Sequence, residues 1–468
     1  MTQRLRVIQG AVMPAELRAL VLARGGATAP RVVVTDVATG ATVPSVVQPA
    51  APPGSPFASA LAARNVYALH VVAQGLSAAT RYRVTATSAF ATRAITTTTL
   101  PRALPAQGLT ISVATCYFDG YRRDGSLARA LNVPRWGELP VLNVWAGDNL
   151  YMDVPPAATA DDPIGHTLER YLRYFLDSDY ADLRALAPAL TTYDDHEYWN
   201  NYPQHVPWLG RSWDGQWKGY RDAGLAATRL FQSQLNPQTG GTGHYTLRLP
   251  PLELFVLDTR SHRTRTHFGP PRLLAPGALA AFQDWSRQLS GPGVLVLGQP
   301  MWIGPGNDFD LNLPAYAAEY AALWRALREA PYDMLVVSGD VHHSRVLKIA
   351  FGGAPNRFVY EFVASPACHI PTIGGVWQDR GKLIDIPAKV ERSGQSLSAQ
   401  AFFGTTAQQC VGLLRFVPQP NNEVRVGASF VDCHPKDRFA RAEPITTVRT
   451  IGSFAVCHDL DLFTLRMR

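Results

Sequence analysis

Five short segments each run as an apolar stretch into side chains that can bind a metal or move a proton. They are Leu109–Cys116 (LTISVATC), Val141–Tyr151 (VLNVWAGDNLY), Leu190–Asn200 (LTTYDDHEYWN), Val294–Gln299 (VLVLGQ) and Met334–His343 (MLVVSGDVHH). Each alone is a weak signal. In this order they describe a buried β-sheet whose strand ends converge on a dinuclear metal centre, at the carboxyl ends where α/β sheets carry their ligands.

The residue types say what each strand end would do. Asp148 ends an apolar strand, and Tyr151 follows three residues later. A carboxylate can bridge two cations, and a phenolate oxygen suits a hard, highly charged one; the alternative is an aspartate capping the next helix beside a packed tyrosine. Tyr193–Glu197 gathers three acids around His196, which is costly unless a cation or solvent compensates. Asp195 reads as the ligand, Asp194 as the non-ligand of the pair, and His196 as an acid/base group beside a bound phosphate; a solvated acidic loop is the alternative. In Gly339-Asp340-Val341-His342 the alternation puts Asp340 and His342 on one face of an extended segment. His343 points the other way and reads as a hydrogen-bonded structural histidine. Cys116 is either a fourth strand-end ligand or a small buried hydrophobe.

This series resembles the calcineurin-like metallophosphoesterase superfamily and, within it, the PhoD-like (alkaline phosphatase D) family. Gly147-Asp148 with Tyr151, Asp194-Asp195-His196-Glu197, Gly339-Asp340-Val341-His342 and Thr115-Cys116-Tyr117 carry the resemblance, with Leu257–Arg260 and Glu361–Pro366 as later segments. It covers about residues 109 to 440. It implies an α/β fold, a four-layer metallophosphoesterase sandwich of mixed sheets flanked by helices. It also implies a first metal held by Cys116, Asp148, Tyr151 and His342, a set suited to Fe(III). A second metal would be held by Asp148, Asp195 and Asp340, whose oxygens favour Ca2+, with Mn2+, Mg2+ or Zn2+ as alternatives. Asn200 or Asn201 would add oxygen ligands, and Gln299 stands near the family's fourth element. The implied activity is hydrolysis of phosphate mono- or diesters by a metal-bound hydroxide. His196 would protonate the leaving group. Arg260 is either a phosphate clamp or a salt-bridge partner of Asp258. A phospholipase- or nucleotide-type phosphodiesterase on the same centre is an alternative. So is a catalytically weak protein whose β domain anchors it to a surface.

Such side chains need elements to position them. From Leu109 onward apolar strand candidates alternate with helical patterns, so an α/β core is expected. One helix is expected from Asp162-Pro163, with Ile164, Leu168, Leu172 and Phe175 on its apolar face, and another over roughly Pro314–Arg328. Val411–Val431 reads as strands around a Pro-Asn-Asn turn. Before Leu109 the texture is Ala/Val/Thr-rich, with short β runs at Ala19–Ala23, Pro30–Thr35, Val66–Val72, Tyr82–Ala86 and Ala94–Leu100. That spacing suggests a small all-β sandwich, and Leu76–Val84 resembles a strand approach of fibronectin type III domains. The expected division is residues 1–100, a linker at 101–108, and a catalytic domain at 109–468. The aromatic stretch Trp199–Trp217 would either stack on a substrate or cover the sheet edge.

Composition narrows the class. The chain has 468 residues, 46% hydrophobic and 17% charged, with net charge +7. Its arginines are spread along the chain without a dense run, a mild attraction for anionic substrates in place of a nucleic-acid footprint. Five scattered cysteines argue against a disulfide framework. The opening MTQRLRVIQGAVMPAE lacks an apolar signal core and a twin arginine, and nothing resembles a transmembrane helix. A cytoplasmic site is expected for the sequence as it stands, and a periplasmic or secreted one if a leader was removed.

Overall fold

The structure is a computed structural model. It describes residues 2–119, 126–131, 136–154, 162–204, 218–237, 243–264, 271–307, 310–368, 387, 389–406, 409–432 and 460–466. Cys433, Cys457 and residues 205–217 of the aromatic stretch lie outside these.

The first hundred residues form β1 (Arg4–Val12), β2 (Glu16–Arg24), β3 (Arg31–Asp36), β4 (Thr42–Val43), β5 (Ser45–Pro49), helix α1 (Pro56–Ala63), β6 (Val66–Gln74), β7 (Arg81–Thr87) and β8 (Thr92–Thr98). They make two four-stranded sheets, ordered β1-β2-β6-β5 and β4-β3-β7-β8, with every pair antiparallel. Val7, Val21, Val71, Val34, Val84 and Ile95 share the core between them. The all-β expectation needs one correction. Ser55 caps α1 by accepting the Ala58 N–H, and Pro56 opens its first turn, so the Pro/Gly-rich stretch before it leads into a helix.

Burial follows the sequence pattern. β2 (ELRALVLAR) is apolar at nearly every position and buried throughout its interior. Its sheet is covered on both faces, because Ile8, Leu20 and Leu22 also join Phe175, Tyr220 and Phe231 in a second cluster. β7 (RYRVTAT) alternates instead, with Tyr82, Val84 and Ala86 in and Arg81, Arg83 and Thr87 out.

The rest of the chain continues with β9 (Leu109–Ala114), α2 (Ser126–Leu131), β10 (Leu142–Ala146), α3 (Pro163–Leu172), α4 (Tyr180–Leu183), β11 (Ala189–Thr192), α5 (Lys218–Phe231), β12 (His244–Leu249), β13 (Leu252–Leu257), α6 (Ala278–Arg287) and β14 (Gly293–Val296). Then come β15 (Gly306–Asn307), β16 (Asp310–Leu311), α7 (Ala317–Glu329), β17 (Met334–Ser338), β18 (His343–Phe351), β19 (Ala354–Val363), β20 (Leu397–Thr406), β21 (Cys410–Pro418), β22 (Val424–Asp432) and β23 (Leu460–Leu465). One sheet runs β11-β10-β9-β21-β22-β23 and the other β12-β13-β14-β17-β19-β18-β20. β9, β10 and β11 are parallel, as are β13, β14, β17 and β19. Ile111, Val113 and Val144 of the first sheet share a core with Val294, Val296 and Leu335 of the second. Leu168, Leu172 and Phe231 cluster with Trp145 on one outer face, and Phe282, Leu323 and Trp324 with Leu295 and Val336 on the other. The order is therefore helices, sheet, sheet, helices.

Asp162 accepts the Gly165 N–H at 2.8 Å and Pro163 opens α3, the start expected from Asp162-Pro163. The second expected helix is displaced. Pro314 sits in a short 3-10 turn, Leu313–Ala315, and Tyr316 departs from helical geometry before α7 begins at Ala317. The larger correction concerns the five segments. They do not end one sheet: β9, β10 and β11 belong to one and β14 and β17 to its neighbour.

Candidate metal centre

The segments that follow the strands of the two sheets approach closely at this site because glycines let them. Gly147 follows β10 with φ +94°, and a Cβ on it would lie 2.9 Å from the Asp194 Cβ. A Cβ on Gly298, after β14, would lie 2.4 Å from the Tyr193 carbonyl oxygen. Cys116, Asp148, Asn201, Asp340 and His342 all take left-handed backbone, with φ of 54°, 50°, 62°, 67° and 50°. For residues other than glycine this costs roughly 1–2 kcal/mol each. Such outliers gather where geometry serves function.

The Asp340–His342 segment departs from expectation. It is a tight turn, with the His342 N–H donating to the Asp340 carbonyl at 2.8 Å. The two side chains therefore do not share a face of an extended strand; they join different donor groups. Among the described residues three groups occur, each with its offered atoms within 4.8 Å of one another: Cys116–Asp148–His342, Asp148–Asp195–His196 and Asp148–Asp194–Asp195–Asp340. Asp148 belongs to all three. The Tyr151 hydroxyl lies 3.4 Å from His342 Nε2, which brings it to the first group.

The electrostatics ask for a cation. Burial, then Asp148 and Asp340, push the Cys116 thiol well up. Burial and Asp195 do the same to Asp148, and burial with Cys116 and Asp148 to the Tyr151 phenol. These groups cannot all ionise together in a dry site without positive charge. Asp195 behaves otherwise. Burial would raise it, but Arg260 and His196 hold its carboxyl below the usual range. Its buried Oδ1 accepts no hydrogen bond from any described residue, the Arg260 guanidinium standing 3.6 Å away. An ionised, buried oxygen left open beside Asp148 fits a metal ligand.

Around these groups lies a supporting layer. Glu197 accepts the backbone N–H groups of Asp148, Asn149 and Asp194, at 3.2, 2.7 and 2.9 Å, and so ties the β10 and β11 ends together. Asp153 holds His196 Nδ1 at 2.8 Å and also accepts the Asn200 N–H at 2.8 Å. Burial pulls His196 down, but Asp153, Asp195 and Asp148 outweigh it and raise its pKa well above the ordinary value. Asn200 contributes this backbone bond, while the Asn201 N–H donates to the Asp195 carboxylate. Gln299 donates to Asp340 at 2.9 Å and accepts from Arg263 at 2.5 Å. Ser365 Oγ accepts the His342 N–H and lies 3.2 Å from the Cys116 sulfur. His343 lies 3.3 Å from the Arg345 guanidinium, and burial lowers it to about 3, as suits a neutral structural histidine.

Arg260 fits neither alternative in full. Its side chain is 1% exposed and pairs bidentately with Asp194, at 2.7 and 2.8 Å, while also donating to the Tyr202 carbonyl. From Arg260, Asp258 receives the backbone N–H and not the guanidinium, and it also accepts the Ser261 N–H. The salt bridge exists with a different acid, Asp194, which also belongs to the third donor group. Asp153 and Arg263 went unread in the sequence. The Asp153 signal was its place two residues beyond Tyr151; Arg263 offered none.

Residues 144–302 match the family model of the PhoD-like phosphatases. Over that stretch the chain is similar to the PhoD-like phosphatases. The matched PhoD-like segment contains Asp148, Tyr151, Asp195, His196, Arg260 and Gln299; Cys116, Asp340 and His342 lie outside it. The match to this phosphatase family suggests a metal-dependent phosphoesterase, and the mixed α/β sheets fit a phosphoesterase-type fold. A solved structure of GAP50, the anchor in the inner membrane complex of Plasmodium, is similar with a TM-score of 0.35 and 12% identity, covering 75% of this chain and 95% of that one. So slight a likeness carries no argument. No curated protein matches. Among the described residues no helix is long and apolar enough to cross a membrane.

Proposed function

We propose that this PhoD-like chain hydrolyses phosphate mono- or diesters at a dinuclear centre in which Asp148 is shared. The observation that carries this is the presence of Asp148 in all three donor groups, with the open Asp195 oxygen beside it. Cys116, Tyr151 and His342 would complete one site, whose thiolate and phenolate suit Fe(III). Asp195 and Asp340, with Asn200 nearby, would complete an oxygen-rich site suited to Ca2+. Bound there, the cations would supply charge for the phosphoryl oxygens and a more acidic water.

The chain's own residues do the rest. Asp153 fixes the His196 ring through Nδ1 and favours its charged form, so His196 has a proton to give to the departing alkoxide. Arg260 keeps Asp194 occupied and Asp195 ionised; it is a positioning residue in this reading and not a phosphate clamp. The two facing sheets with helices outside are read as the four-layer metallophosphoesterase sandwich, at residues 109–468. The two antiparallel sheets before residue 100 are read as a fibronectin III-like domain, joined by 101–108.

Elemental analysis of protein purified without added metal, paired with turnover of a chromogenic phosphodiester, tests the reading. Iron with a second metal, and a visible absorption band that Tyr151→Phe bleaches or shifts, is the expected result. A colourless, iron-free and fully active protein would remove the iron assignment. Full activity after exhaustive chelation would remove the dinuclear centre altogether.

A further inference from the structure

The basic excess is not evenly distributed once acids are counted with arginines. Residues 1–100 hold nine arginines and no lysine against only Glu16 and Asp36, which is the whole of the chain's +7. Of the chain's 44 basic and 37 acidic residues, 35 of each remain beyond residue 100, where the charge is balanced.

Five of the nine arginines are used inside the molecule. Arg4 and Arg24 pair with Asp177, Arg6 with Asp182 and Arg18 with Glu16. Arg64 donates to the carbonyls of Ala60 and Gly165. The other four, Arg31, Arg81, Arg83 and Arg93, are exposed on the β4-β3-β7-β8 sheet. Their side chains make no hydrogen bond or ion pair with any described residue. Asp36, the one acid of this sheet, spends its carboxylate on the N–H groups of Ala38 and Thr39.

Register places three of these arginines on the face turned away from the core. Val34, Tyr82, Val84, Ala86 and Ile95 point into the core, so Arg31, Arg81 and Arg83 point out. Arg83 lies opposite Thr35 on one side and Thr96 on the other. Arg81 and Arg83 are two residues apart on one strand, about 7 Å. Arg93, opposite Ala86 and two residues before Ile95, lies on the other side of the sheet at the hairpin end and is not part of this face. The outward positions between the other three arginines are mostly threonine. No aromatic ring stands there to stack a base, and no large apolar side chain to enter a lipid layer.

We infer that this arginine–threonine face docks a flexible chain of closely spaced phosphates, a linear polyphosphate. Guanidinium groups bind phosphate oxygens in pairs, threonine hydroxyls add donors, and an open sheet face suits a strand laid across it. The choice of phosphate over other anions rests on the proposed phosphoesterase activity. The cationic face itself does not.

The probe is end-labelled inorganic polyphosphate, with binding to the full-length protein read by fluorescence anisotropy over a salt series. Asp148→Asn serves as background, so that binding is read without turnover. Three engaged phosphates predict a fall of log K with log salt of slope about −2 to −3. Replacing Arg31, Arg81 and Arg83 together by Gln should weaken binding at least tenfold and flatten that slope. In the otherwise wild-type chain the same replacement should leave hydrolysis of a small chromogenic ester unchanged. Equal binding by the threefold variant would overturn the assignment of the face. Binding to vesicles of anionic phospholipid with none to polyphosphate would overturn the partner. A chain that binds polyphosphate through these arginines but hydrolyses no ester would leave this inference standing while the proposed function fell.

Discussion

His196 is the residue on which the division of labour turns. It lies within ligand distance of Asp148 and Asp195, yet Asp153 holds one of its nitrogens. If it donates a proton and binds no metal, His196→Ala should lose roughly 10²–10⁴-fold in rate while metal content stays near wild type. The loss should shrink for nitrophenyl esters, whose leaving group needs little protonation. Loss of a metal together with activity would make His196 a ligand. Glu197 offers a pH test. Burial raises its pKa from 4.5 to about 8 despite the N–H groups it accepts. A raised carboxyl binds more protons folded than unfolded. Its stabilising share is fully present below about 4.5 and is lost as pH rises through about 8. Metal-free protein should therefore melt at falling temperature from pH 5 to 9, and Glu197→Gln should flatten that trend. An equally steep fall in the variant would place the proton elsewhere. The acids and the histidines were legible because each ends an apolar run. The role of Glu197 was not, since its partners are backbone N–H groups. The Arg260 partner was not, because Asp194 and Asp258 look alike from the sequence.

Strands were legible where the apolar run was continuous, as in Met334–Val337 and Val294–Leu297. Such runs say that a strand is buried on both faces; they do not say in which sheet, which is why the five segments read as one sheet and divide into two. β1 was missed because Arg4, Arg6 and Gln9 break its pattern, and all three side chains find partners outside their own sheet. The Asp340–His342 turn was misread because alternation looks the same in a strand and in two left-handed residues flanking a valine. The contact between the two sheets gives the prediction at this scale. Gly298→Ala puts a methyl group 2.4 Å from the Tyr193 carbonyl and should destabilise by about 1–3 kcal/mol. It should also lower metal content, since the Asp194–Asp195 turn must move. Gly304→Ala meets nothing within 4 Å and is the control. Thermal melts and metal analysis of both decide the matter, and equal behaviour would deny the contact.

In the whole molecule, what stayed hidden is how the first hundred residues attach to the rest. Composition suggested a separate small domain after which the chain starts afresh. Apart from its exposed edge strand β5, the β1-β2-β6-β5 sheet is covered on both faces: one side packs on β3 and β7, and the other joins Tyr171, Phe175 and Phe231. It is a wall shared by two rooms. Neither room closes without it, so melting should be a concerted event. Differential scanning calorimetry should record a single endotherm for the full chain, with calorimetric and van't Hoff enthalpies in agreement. A chain begun at Leu109 would bare the aromatic cluster and should be recovered only as aggregate.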